Sequence, residues 1–102
     1  GITIPSENKV LMLVAVPDQN GVRHAMGLSQ KLRNSGIGVE LYPLKAKLAN
    51  QIKYAVKRSI PFIVIDGERE RANGKHTLKN LDSGKQYDQI TFEEMIEIAR
   101  RG

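Results

Sequence analysis

Two stretches of the chain concentrate side chains with chemistry to offer. The first is Lys47–Arg58 (KLANQIKYAVKR). With Ile52 at the centre of a buried helical face and 100° per residue, Lys47, Asn50, Lys53, Tyr54, Lys57 and Arg58 fall on the exposed half. No acidic residue lies between Glu40 and Asp66. Cations that reach phosphates, beside a ring on which a base can stack, suit RNA. A merely solvated basic helix with Tyr54 packed at a seam is the alternative. The second stretch, Asp66–Asn80 (DGERERANGKHTLKN), reads as a loop leaving a buried strand, then a tight turn and a new strand. Loops at strand ends are where α/β sheets place ligand contacts. The carboxylates of Glu68 and Glu70 can accept from base amino groups, while Lys75, Lys79 and Asn80 can read acceptor edges of unstacked bases. The alternative here is a charged hairpin connection.

Catalytic constellations are not found. His24 and His76 are the only histidines, and they have no metal-binding spacing, so two ordinary histidines and no metal site are expected. None of Ser6, Ser29, Ser35, Ser59 and Ser83 sits in a G-x-S-x-G elbow. Gly36-Ile37-Gly38 lacks a third glycine and follows a helix, so it reads as a helix stop rather than a dinucleotide fingerprint. The acid pairs Glu68/Glu70 and Glu93/Glu94 lie near arginines, with no sign of a raised pKa. The chain has no Cys, which excludes disulfides and thiol chemistry. No catalytic residue is expected.

The elements that must position these residues follow from changes of period. With 102 residues, 40% apolar and 26% charged, the chain fits one soluble domain. Its longest apolar runs, Val10–Val16 and Ile60–Ile65, are far short of a membrane span. Lys9–Val16 is a strand buried on both faces, ended by Pro17. Gly21–Ser35 is a helix with Val22, Ala25, Met26 and Leu32 inward, stopped by Gly36. Gly38–Tyr42 is a strand ended by Pro43. Lys45–Arg58 is a helix burying Leu48, Ile52, Ala55 and Val56, and Phe62–Ile65 is another strand. This β-α-β-α-β order signals parallel pairing. Lys75–Leu81 and Lys85–Ile90 then form a hairpin around Asp82-Ser83-Gly84. Thr91-Phe92-Glu93-Glu94 is a capping box opening a last helix that buries Phe92, Met95, Ile96 and Ala99. The expectation is a single three-layer α/β domain over residues 1–102, with its core in 9–100. It has a mixed sheet of about five strands and three helices. The net charge of +5 is uneven: residues 1–44 carry +1, 45–85 carry +6 and 86–102 carry −2. A basic middle points to a polyanionic partner.

Several segments resemble a known family. The helix ending Lys-Leu-Arg-Asn-Ser-Gly-Ile (31–37), Val39-Glu40-Leu41-Tyr42, Lys47–Ala55, Ile60–Gly67 and Ala72-Asn73-Gly74-Lys75 occur in the order found in anticodon-binding domains of class IIa aminoacyl-tRNA synthetases. The C-terminal domains of histidine–tRNA ligases are the nearest match, over roughly residues 9–100. The resemblance implies binding of a tRNA anticodon stem-loop, with the histidine tRNA as cognate. It places Glu70 and Lys79 on anticodon nucleotides, and Lys47, Lys53 and Lys57 along the RNA backbone. It also implies a cytoplasmic, homodimeric parent ligase whose ATP and Mg2+ sites lie in a separate catalytic domain, leaving no cofactor in this one. Gly1 in place of Met suggests an excised piece or a tag remnant. The sequence departs from the family pattern at Ala49-Asn50, Val56, Arg71 and His76. A synthetase-like accessory module that keeps the fold for protein contacts is the second reading, and Val56 and Arg71 would suit it. A flavodoxin-like enzyme domain would need a phosphate loop after Val16, where Pro17–Gly21 stands instead.

Overall fold

A computed structural model describes residues 10–16, 18–42 and 47–101. The expected element boundaries at Lys9, Pro17, Pro43 and Lys45 lie outside the described residues. Five strands form one sheet: β1 (Met12–Val14), β2 (Val39–Leu41), β3 (Phe62–Val64), β4 (His76–Asn80) and β5 (Gln86–Ile90), in the spatial order β2-β1-β3-β4-β5. β1 pairs in parallel with β2 and β3, whereas β4 and β5 run antiparallel. The helices are α1 (Val22–Asn34), α2 (Leu48–Lys57), α3 (Glu68–Asn73) and α4 (Phe92–Arg101). Among the described residues there is therefore one α-helix more than expected.

Strand alternation splits the core in two. Met12, Val14, Phe62, Val64 and Leu78 point to one side and pack with Ala25, Leu28 and Leu32 of α1 and Met95, Ile96 and Ala99 of α4. Leu13, Ala15 and Ile63 point to the other side and pack with Ala55 of α2 and with Ile60. This makes the three layers, and it explains why β1 and β3 read as unbroken apolar runs.

Two helix faces are rotated from expectation. In α1 the buried stripe is Ala25, Leu28, Ser29 and Leu32. Met26 lies about 100° round from that stripe and is 57% exposed, and Val22, at the first helical position, is 42% exposed. In α2 the buried positions are Gln51 and Ala55, with Leu48 and Ile52 half-buried and Val56 exposed. Gln51 is the cause. Its amide accepts from the Val16 N–H (2.8 Å) and donates to the Val16 carbonyl (2.9 Å), satisfying the backbone just past β1. A pattern search for apolar residues passes over that glutamine.

The segment read as a loop after β3 contains α3. Its six residues, ERERAN, have no apolar stripe to betray a helix. Its ends hold it instead. The Glu70 carboxylate turns back to accept the Gly67 N–H (3.0 Å), and Gly74 closes the helix in the left-handed region (φ 66°). Gly36 does the same after α1 (φ 84°), as expected. The capping box at α4 is formed as read, with Thr91 Oγ1 accepting from Glu94 N–H and Glu94 Oε1 accepting from Thr91 N–H.

Candidate nucleic-acid interface

The sheet register sets out one transverse row of side chains. Glu40 lies beside Leu13, Leu13 beside Ile63, Ile63 beside Lys79 and Lys79 beside Gln86, from β2 across to β5. Because Leu13 and Ile63 belong to the α2 side, the whole row faces that side. The helix layer there covers the middle of the row, over Leu13 and Ile63. Lys79 is half-buried and Gln86 exposed at its far end. Gln86 donates to Asp88 (2.9 Å), two residues along β5.

At the other end of the row, Glu40 is engaged. It accepts a hydrogen bond from the Tyr54 hydroxyl and lies 3.6 Å from the Arg58 guanidinium. Arg58 also donates to Tyr54 Oη (3.0 Å), and the Tyr42 and Tyr54 rings meet edge-on at 5.1 Å. The Glu40 bond, with burial and the Glu40 charge, raises the Tyr54 pKa, because ionising the phenol would break the bond. Tyr54 and Arg58 thus pin α2 to β2. Lys47, Lys53 and Lys57 are exposed on the same helix, and none has an ion-pair partner among the described residues. Lys53 points directly away from the Gln51–Ala55 face, with Lys57 close to it.

Glu70 is nearly enclosed, with 10% of its side chain exposed. Oε1 accepts from Gly67 N–H, and Oε2 accepts from the Thr77 hydroxyl (2.9 Å) and the Gln89 amide (2.8 Å). Burial alone would raise its pKa. The bonds from Thr77 and the backbone, with the nearby Arg69, outweigh burial and hold the carboxyl below its ordinary value. Its position is fixed by the fold, and Arg69, 3.7 Å away, lies at its exposed edge. Asn80 Oδ1 accepts from the Asp82 and Ser83 N–H groups, which shapes the β4–β5 turn. Arg71 reaches Asp18 (3.2 Å) and the Asp66 carbonyl (3.2 Å). It is a tie between segments.

One cluster escaped the sequence reading. His24, expected to be unrelated to His76, meets it at a shared acceptor. Asp66 Oδ2 lies 2.8 Å from His24 Nε2 and 2.5 Å from His76 Nδ1, while Oδ1 accepts from the Thr77 N–H (3.2 Å). The three residues come from α1, the loop after β3 and the start of β4. Separations of 42 and 10 residues leave no spacing motif to detect.

Comparison with known proteins bears on the family and the fold. The "Anticodon binding domain" family model matches residues 4–101. The histidine–tRNA ligase of Cytophaga hutchinsonii is 40% identical over 89 residues, which is 87% of this chain and 19% of that protein. That of Flavobacterium johnsoniae is 49% identical over 64 residues, 63% of this chain and 13% of that protein. The chain thus spans about a fifth or less of the curated relatives it matches. The crystal structure of histidyl-tRNA synthetase from Nostoc sp. PCC 7120 superposes with a TM-score of 0.84 at 30% identity. The match covers 90% of this chain and 22% of that one. The RNA-binding domain of threonyl-tRNA synthetase from Cryptosporidium parvum shares the fold, with a TM-score of 0.81 at 17% identity over 94% of this chain and 26% of that one. With nearly every residue matched by the family model and the same five-stranded mixed sheet in place, the chain belongs to the anticodon-binding domain family.

Proposed function

We propose that this chain binds the anticodon stem-loop of a tRNA, as the anticodon-binding domain of a histidine–tRNA ligase, with the histidine tRNA as cognate. The observation that carries the reading is the sharing of one side of the sheet. The exposed, acid-free lysines of α2 and the half-open Lys79 row both belong to it. Lys47, Lys53 and Lys57 contact phosphates and supply most of the affinity, which is sequence-independent and salt-sensitive. Lys79 faces unstacked bases, while Asn80, opposite Phe62 and so on the other side of the sheet, shapes the β4–β5 turn beside it. Glu70 acts at the edge of its bonded position, and Tyr54 sets the helix that carries the lysines. Catalysis, with its ATP and Mg2+, belongs to another part of a homodimeric, cytoplasmic ligase. No helix of the described residues is long and apolar enough to cross a membrane.

The test is binding of a panel of anticodon stem-loops at two salt concentrations. The histidine stem-loop is expected to bind more tightly than the others. Its affinity is expected to fall steeply with salt, and Lys79→Ala is expected to narrow its lead. Equal binding of every stem-loop would remove the assignment of the tRNA. No binding at low salt would remove the function.

A further inference from the structure

We propose that His24, Asp66 and His76 form a binding site for one divalent transition metal ion of the zinc, cobalt or nickel type. Their ligand atoms all lie within 4.8 Å of one another. Two imidazoles and one carboxylate are a donor set that such ions favour and that magnesium does not. The set is built into the fold. Asp66 and His76 are more than nine-tenths buried, and His24 is 30% exposed at the mouth. The carboxylate is already oriented through its second oxygen by the Thr77 N–H, the kind of outer bond that holds metal ligands in place. A cleft of about 350 Å3 opens beside both histidines, between Arg23, Gly27, Lys31 and Gly74. A fourth, exchangeable ligand can enter from there.

The hydrogen bonds now present run from each ring to the same oxygen, at 2.8 and 2.5 Å. Seating an ion between the three atoms requires each ring nitrogen to draw back from the carboxylate oxygen to about 3.3 Å, a movement of about half to one ångström. Each ring then presents a lone pair in place of its N–H, and the proton resides on the other ring nitrogen. Two of the nearby cations are already engaged, while Arg23 lines the cleft. Lys31 lies over the Phe92 ring at 4.3 Å, and Arg71 is paired with Asp18. One carboxylate leaves the bound ion with net positive charge, so water or an anionic oxygen from the cleft completes it. The ion would clamp α1 to the β3–β4 junction, with α1 on the side of the sheet opposite α2 and its lysines.

The test uses the full 102-residue chain. Titration with Co2+ is expected to give saturable visible absorption at one ion per chain. Zn2+ is expected to compete for the site and raise the melting temperature, whereas Mg2+ does neither. Binding is expected to weaken as the pH falls, because an imidazole must be neutral to ligate. His24→Gln, altering the most exposed ligand, is expected to weaken Zn2+ binding at least about tenfold. His76→Ala is expected to abolish it, and circular dichroism reports whether that variant folds. Absence of a saturable Co2+ spectrum would overturn the proposal. So would unchanged Zn2+ affinity in folded His24→Gln, which would leave the cluster as a hydrogen-bonded tie.

Discussion

The basic helix α2 and the Asp66–Asn80 segment look alike as strings of charge, yet the fold treats them in opposite ways. In α2, Lys47, Lys53 and Lys57 stay exposed and without an acid partner among the described residues. In Asp66–Asn80 most polar groups are spent internally. Glu70 holds Gly67, Thr77 and Gln89, Asp66 holds two histidines, and Arg71 holds Asp18. A charge with no internal partner remains available to a polyanion. A charge with three hydrogen bonds mainly stabilises the domain. Charge density alone does not separate these roles, whereas hydrogen-bond partners do.

The comparison predicts different failures. The largest effect is expected from Lys53→Glu with Lys57→Glu: stem-loop affinity falls about a hundredfold, and the salt dependence becomes shallower by about one phosphate contact per lysine. The urea midpoint should hardly move, and a large drop in it would contradict the free state of these lysines. Glu70→Ala, unlike the lysine pair, should lower stability. It leaves Gly67, Thr77 and Gln89 without their acceptor and lowers unfolding free energy by about 2 kcal/mol in urea titration. The pH dependence gives a sharper form. The folded carboxyl titrates below its ordinary value, so its contribution is complete above about pH 4.5 and drains away as pH falls through the folded value. The stability gap between the native chain and Glu70→Gln should therefore close in acid. A gap that persists at low pH would show that the carboxylate charge is not the stabilising feature.

Lys79→Ala tests the boundary between the two regions. It should weaken stem-loop binding about tenfold while leaving the melting temperature within a degree or two, as expected of a half-open cation whose side chain has no bonded partner among the described residues. Thr91→Ala is the smallest, at about 1 kcal/mol from the lost cap of α4, with RNA affinity unchanged. Altered RNA binding in that variant would bring α4, on the opposite side of the sheet, into the interface.

Much of the fold was legible because it rests on local rules. Apolar runs over Val10–Val16 and Phe62–Ile65, the glycine at 36 and the Thr91–Glu94 box each appear where the sequence places them. The missed pieces share a cause. α3 is held by end contacts instead of an apolar stripe, and α2 is turned by a buried glutamine that bonds Val16 from 35 residues away. The candidate site was legible only in its residue types. Lys79 reads as a strand lysine in any sequence, and only the register sets it in the row that α2 partly covers.

The α/β class, the order of the elements and the basic middle follow from the amino-acid sequence, because periodicity, turn residues and charge are properties of neighbours along the chain. Tertiary structure alone decided which charges are left over. It tied Tyr54 and Arg58 to Glu40, enclosed Glu70, and joined His24 and His76 through Asp66. Partners separated by tens of residues find one another only after the sheet has formed, when burial makes an unpaired polar group costly enough to demand one.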